Sequence, residues 1–196
     1  MIFFELNMAD SPYSAKFNRT SHLSRVGKED IESAEYLGGW FPKSRAMRYL
    51  DEGHILLVLK DKGKVIFYQL LELNKVNIKV LEISALIPAD TAYTSYLYTL
   101  PEYRGKGIAS KVKPLILKYL YDQGYRKVFN AIAPDNIPSQ KVNKKAGLNP
   151  YQAVIYRRFL FLKYYCVKDY DTNKKKLFLR LGRTDKQMWK AFSKIG

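Results

Sequence analysis

At 196 residues, 47% apolar and 27% charged, the chain has the size and composition of a globular protein of one domain, and no apolar run approaches the roughly 18 residues of a membrane-spanning helix. Its single cysteine, Cys166, excludes an internal disulfide, and with only His22 and His54 beside it the soft ligands of a zinc cluster are missing, so no metal is expected. The net charge of +16 is lopsided: residues 1–100 balance 12 Lys/Arg with 12 Asp/Glu, while residues 101–196 carry 22 against 6. A basic half-molecule attracts polyanions such as nucleic acid or phosphate-rich ligands, although solvated lysines account for the same excess. The start "MIFFELNMAD" lacks the basic region of a signal peptide, and one cysteine suits a reducing compartment, so a cytoplasmic location is expected.

In chain order, "IFFEL" (2–6) reads as a strand. An acidic first turn and the Gly38-Gly39 stop mark a helix from Glu29 to Leu37. A second helix follows in "FPKSRAMRYLDEG", with Ser44 as N-cap and Gly53 as stop. "HILLVLK" and "VIFYQLLEL", joined by "DKGK", form a hairpin. "VNIKVLEISALI" and "TAYTSYLYTL" read as one strand each, and "KVFNAIA" as another. "PSQKVNKKAG" is a short helix closed by Gly147, and "YQAVIYRRFLFLKYYCV" (151–167) is a strand. From Lys168 the chain is a basic extension with a strand at "KLFLRL" and a helix at "DKQMWKAFSKI". The division is therefore 1–167 for a mixed α/β domain and 168–196 for an extension packed on it. His54, at a strand start, reads as a surface residue, and Cys166 as a buried small hydrophobe.

The most informative stretch is "PEYRGKGIASKVKPLILKYLYDQG", from Pro101. Ile108, Val112, Leu115, Ile116, Tyr119 and Leu120 make one face of a helix, with Lys111, Lys113 and Lys118 off that face and Pro114 as a point for a kink. At the start of this helix the first amides lack intrahelical partners, and the dipole adds partial positive charge. Gly105, Gly107 and Ala109 keep the backbone approachable, and Arg104 and Lys106 add full charges, which suits pyrophosphate. An ordinary glycine turn reads the same way, so the turn alone leaves both open. Neither a P-loop nor a Rossmann fingerprint is present.

The wider segment "YLYTLPEYRGKGIASKV" resembles the acyl-CoA signature of the GNAT acyltransferases, R/Q-x-x-G-x-G/A, at Arg104, Gly107 and Ala109. "NIPSQKVNKKAGL" resembles the family's second segment at Asn136, Ser139, Lys145 and Gly147. Both lie in the expected order within residues 91–150. The resemblance implies a GNAT-like mixed α/β fold: a mostly antiparallel twisted sheet with a splayed pair of strands, flanked by helices. It implies direct transfer of an acetyl group from acetyl-CoA to a primary amine. The pantetheine arm would lie along Leu97, Tyr98 and Thr99, and the pyrophosphate on the amides of Arg104, Gly105, Lys106, Gly107, Ile108, Ala109 and Ser110. Asn136 and Ser139 would meet the cofactor nearby. A backbone amide at Tyr98 or Thr99 would polarise the thioester carbonyl.

The acid–base residues depart from that pattern. Asn143 stands where many members carry the tyrosine that protonates the leaving thiolate, and an amide does not titrate. Tyr98 and Glu82 are the named catalytic candidates, with Tyr151 and Glu72 as further ones. Trp40, Phe41, Arg157 and Arg158 are candidates for an acceptor pocket. Three functions stay open: an N-acetyltransferase for a small amine, one for a polyanionic acceptor such as aminoacyl-tRNA, and a CoA- or nucleic-acid-binding module without catalysis. The basic tail with Phe178 and Trp189 speaks for a polyanion, and Asn143 for the inactive module. Monomer and homodimer are both compatible with the chain.

Overall fold

The hairpin linker Lys62-Gly63 places both residues at positive φ, 47° and 82°, which is the turn that matches the twist of two adjacent strands. It joins β3 (Ile55–Asp61) to β4 (Lys64–Leu73), the two most continuously buried strands among the described residues. The structure is a computed structural model that describes residues 1–8, 23–32, 34, 37 and 41–181. Around the hairpin are arranged β1 (Ile2–Asn7), β2 (Leu23–Arg25), α1 (Lys28–Glu32), α2 (Lys43–Asp51), β5 (Lys75–Ile78), β6 (Ile83–Leu86) and β7 (Thr91–Thr99). After them come α3 (Ile108–Asp122), β8 (Lys127–Ile132), α4 (Ile137–Lys145), β9 (Asn149–Phe159), β10 (Leu162–Asp169) and β11 (Lys175–Leu181).

Nine strands form one sheet in the order β11-β10-β9-β1-β8-β7-β4-β3-β2, antiparallel throughout except for the β7–β8 pair. That parallel pair needs a crossover, which α3 supplies. Alternation on β1 divides the core. Phe4 faces Val112, Ile116, Leu117 and Leu120 of α3, while Phe3 faces the opposite layer, which the β5–β6 hairpin covers with Val76, Ile78 and Ile83. A third cluster packs Ile31, Phe41, Ala46 and Tyr49 against Val58, Tyr68 and Leu70 of β3 and β4.

Several expectations change. "VNIKVLEISALI" is two short strands, because a 3-10 turn at Lys79–Leu81 and Glu82 in the left-handed region reverse the chain. Residues 151–167 likewise split into β9 and β10, turning at Leu160 with φ 51°. Ser44 lies inside α2, which begins after Pro42 with no side-chain cap. Among the described residues the first helix ends at Glu32, and β2 is a strand too short for periodicity to mark. His54 is buried, with Nδ1 accepting the Leu73 amide at 3.0 Å, and Cys166 is only half-buried. The largest change is on α3: Lys113 is fully buried, beside Val112, Ile116, Leu117 and Leu120, while Leu115 turns partly outward. β11 pairs along β10 in the same sheet, and the 167/168 boundary falls inside β10. The helix expected at 185–195, with Trp189, lies outside the described residues, as does Trp40.

Candidate active-site cleft

The site begins where two parallel strands part. β7 and β8 pair only from Thr91–Tyr93 to Lys127–Phe129. Against its other neighbour β7 slips register: Tyr98 opposes Tyr68, yet Ser95 opposes Leu70, so β7 holds one residue more than β4. Tyr96 takes up the excess at φ 47°. A bulge bends its strand and raises the local twist, and this one follows the last β7–β8 pair, Tyr93 with Phe129, in the stretch of β7 already free of β8.

The opening is a cleft of about 720 Å³. One wall is Leu97, Tyr98 and Thr99, the floor is the turn with Arg104, Gly105 and Gly107 and the first residues of α3, Ile108, Ala109 and Ser110, and the far wall is Asn136 and Ser139 at the start of α4. Of the cofactor residues named from the sequence, Lys106 alone is not on the wall; its ammonium sits 4.9 Å from the Tyr103 ring centroid. Gly105 and Gly107 have φ of 75° and 74°, a conformation that side chains strain, and a Cβ at either would meet only open space. No side chain caps α3, so the amides of Ile108, Ala109 and Ser110 face the cleft mouth with their dipole unanswered. Arg104 ties the turn to the strand: its Nε donates to the Thr99 carbonyl at 3.0 Å and its guanidinium lies 5.2 Å from the Tyr98 ring centroid. Asn136 spends its Oδ1 capping α4 through the Ser139 amide at 3.2 Å.

Inward, the cleft narrows to a polar hollow of about 190 Å³, which shares Leu97, Asn136 and Ser139 with it. Its walls include Gln69, Thr94, Ser95, Asn130 and Asn143. The Asn143 amide donates to the Ser139 carbonyl at 2.8 Å, which fixes its oxygen toward the Asn130 amide at 2.5 Å. Asn130 also donates to Thr94 Oγ1 at 3.3 Å, and Lys113 Nζ donates to that same oxygen at 2.8 Å. Burial alone lowers the Lys113 ammonium to about 7. The Asn130 and Gln69 carbonyl oxygens are buried with no hydrogen-bond partner among the described residues. Unsatisfied acceptors at a cleft suit a ligand that donates to them.

On the opposite face of the sheet, Ser95 Oγ donates to Glu72 Oε1 at 2.6 Å, and the Asn77 amide donates to Oε2 at 3.1 Å. Burial raises the Glu72 carboxyl to about 7, and these two hydrogen bonds oppose the shift without cancelling it. Glu72 also borders a third hollow, of about 160 Å³, with Arg48, Glu52, His54, Lys75 and Lys79 on its rim. Glu82 is placed differently. Its carboxylate pairs with Lys163 at 2.6 Å and Arg158 at 3.2 Å, and hydrogen bonds led by Lys163 hold it down to about 2, which makes it a poor proton acceptor. Tyr98 stacks on Tyr68 at 5.2 Å, Tyr151 is buried with its phenol pushed up by burial, and Phe41 is buried against Tyr96. Arg157 is exposed on β9.

Sequence reasoning missed Thr94, Asn130, Gln69 and Lys113. A signal for Lys113 existed: residues 113, 116, 117 and 120 share one helical face, so a lysine interrupts an otherwise apolar stripe.

The model of the Acetyltransferase (GNAT) family matches residues 27–148 of the chain. Among solved structures, a complex of AAC(6')-Iy with a bisubstrate analogue, CoA-S-monomethyl-acetylneamine, is similar at 16% identity and TM-score 0.55, covering 71% of this chain and 97% of that one. An aminoglycoside acetyltransferase from an uncultured soil metagenomic sample, in complex with sisomicin, is similar at 10% identity and TM-score 0.51, with coverages of 71% and 95%. An IAA acetyltransferase from Bacillus cereus is similar at 15% identity and TM-score 0.50, with coverages of 69% and 79%. A search of curated proteins found no match. At these identities the solved structures speak for the fold.

Proposed function

This chain belongs to the GNAT acetyltransferase family, and from that premise we propose that it is an N-acetyltransferase that takes acetyl-CoA in the cleft between β7 and β8 and delivers the acetyl group to a primary amine arriving from the Glu72 side. The observation that carries this reading is the continuity of three parts: an uncapped helix start for phosphate, a strand edge free of β8, and a buried carboxylate poised near neutrality.

Acetyl-CoA supplies an activated acyl group, and this chain's residues hold and orient it. The amides of Ile108, Ala109 and Ser110 meet the pyrophosphate, with Arg104 and Lys106 beside them. The backbone of Leu97 to Thr99, released from β8, pairs with the pantetheine arm, and Asn136 Nδ2, left free by the cap, adds a donor. The bulge lies at Tyr96, ahead of Tyr98 and Thr99, so the Leu97 amide, next to the bulge, takes the role of polarising the carbonyl in their place. Glu72 accepts the proton of the attacking amine through Ser95 or a water molecule. Positioning the two reactants across the sheet supplies the remainder.

The acceptor side bears Arg48, Lys75 and Lys79 against the one rim carboxylate Glu52, and Arg45 and Arg48 contribute to the lowering of the Lys79 ammonium after its burial. Such a rim favours an amine that also carries an anionic group over a polycation such as an aminoglycoside. The test is thiol release from acetyl-CoA with a panel of amines in two arms, aminoglycosides and amines bearing a phosphate or carboxylate. Turnover in the anionic arm, about a hundredfold or more lower in Glu72→Gln, is the expected result. No turnover with any amine, in a protein that binds acetyl-CoA, would favour the non-catalytic module.

A further inference from the structure

Lys113 is out of place by ordinary rules. A lysine is almost never fully buried without a carboxylate partner, and among the described residues Lys113 has no salt bridge. Its side-chain hydrogen bond is to Thr94 Oγ1, at 2.8 Å. Thr94 of β7 faces it directly, Asn130 of β8 is joined to it through Thr94 and Asn143 of α4 through Asn130, and none of the three titrates. The charged residues on the packed elements, Lys111, Lys118 and Asp122 of α3, Glu5 of β1, Lys127 of β8, and Lys141, Lys144 and Lys145 of α4, are exposed or half-exposed.

Thr94 Oγ1 accepts two hydrogen bonds, from Lys113 and from Asn130. Asn130 cannot be turned to accept instead, because its amide is committed to the Asn143 oxygen, and Asn143 is set by a backbone carbonyl. With both lone pairs taken, the Thr94 hydroxyl must donate, and Thr94 lines the hollow at the head of the cleft. The geometry points to a proton relay from Lys113 through the Thr94 hydroxyl to the sulfur of coenzyme A, replacing the tyrosine whose place Asn143 occupies. Asn143 then positions rather than protonates, holding Asn130 so that the hydroxyl points inward. This inference rests on the acetyl-CoA reading above.

The step balances. The amine nitrogen forms a bond to the acetyl carbon, and the carbon–sulfur bond breaks with its electron pair going to sulfur. The Thr94 hydroxyl gives its proton to that thiolate and takes one from the Lys113 ammonium. The proton shed by the amine goes to Glu72, and Lys113 regains a proton from solvent after the thiol leaves. An ammonium held near neutrality is matched to this donation. Thr94 is the group that touches the sulfur, and Lys113 acts through it.

The experiment needs no acceptor. Coenzyme A is titrated calorimetrically into wild type, Lys113→Met, Thr94→Val and Thr94→Ser, and the thiol of the bound coenzyme is then titrated with pH by thiolate absorbance. A Thr94 hydroxyl held donating to the sulfur by the bonds from Lys113 and Asn130 stabilises the thiolate, and so lowers the bound thiol's ionisation pH in wild type even where Lys113 is neutral. Lys113→Met and Thr94→Val are expected to raise it by about one pH unit or more at unchanged affinity for desulfo-CoA, and Thr94→Ser to restore it. Bound thiol titrating at one pH in all four proteins overturns the relay and leaves the acetyl-CoA reading intact. No binding of coenzyme A by wild type overturns both. Should Lys113→Met fail to fold, the Thr94→Val and Thr94→Ser pair decides alone.

Discussion

Thr94 and Ser95 are neighbours on β7, and they face opposite sides of the sheet. Behind Thr94 lies a lysine and behind Ser95 a glutamate, and in both the burial that usually excludes a charge brings the group to about 7. Desolvation disfavours either charged form, so it pulls a carboxyl up and an ammonium down to the same value. A pair converging from opposite directions supplies one group ready to take a proton and one ready to give it. The turn before α3 is built by a different device: Gly105, Gly107 and the amides of Ile108, Ala109 and Ser110 contribute backbone and conformation, with no buried ionisable side chain. One region is shaped by backbone geometry and the other is tuned by desolvation.

Three substitutions, read in four measurements, sharpen that contrast. The largest effect belongs to Glu72→Gln, which removes the proton acceptor. The turnover number is expected to fall by about a hundredfold or more, and the rise in rate through pH 7 to disappear from its pH profile. Next is stability. The Glu72 carboxyl is raised in the fold, so its contribution is fully present below the unfolded value near 4.5 and is lost as pH rises through about 7. The penalty above that pH is up to about 3 kcal/mol, and urea unfolding of Glu72→Gln should show a gain at pH 8 that vanishes by pH 4.

The mirror case is Lys113. Its lowered ammonium costs stability fully below about 7, and the cost fades as pH rises toward the unfolded value of 10.5. Lys113→Met should therefore be more stable than wild type by roughly 1–3 kcal/mol at pH 6, with a smaller margin at pH 9. Smallest is Glu82→Gln. It weakens an exposed pair to Arg158 and one to the buried Lys163, away from the cleft, so turnover is expected to stay within about twofold and the pH profile to keep both limbs. A hundredfold loss there would move the base from Glu72 to Glu82.

The shape of the turn before α3 was legible because its requirements are local: two glycines, a helix start without a capping side chain and a flanking arginine are written in consecutive residues. The mixed α/β order and the placing of α3 and α4 followed from periodicity. What was not legible depends on distant chain segments. Glu72 and Glu82 were both candidate bases in the sequence, and what separates them appears only in the fold: Ser95, twenty-three residues on, beside Glu72, and Lys163 and Arg158 beside Glu82. Lys113 looked solvated because a helical stripe is read by its apolar members, and one lysine on the buried side shifts the inferred face. The single strands assumed at 76–87 and 151–167 broke at Glu82 and Leu160, non-glycine residues at positive φ that carry no turn signature.

The central claim is that the β7–β8 cleft takes acetyl-CoA by way of the turn before α3. Calorimetric titration of acetyl-CoA into wild type and Gly107→Glu tests it most directly, with desulfo-CoA as a control. The substitution forces a side chain onto φ 74° and sets a carboxylate where phosphate would lie. The account predicts micromolar-range binding by wild type, weakened about a hundredfold or more in Gly107→Glu with both ligands. Equal binding by the two proteins, or none by wild type, would contradict it.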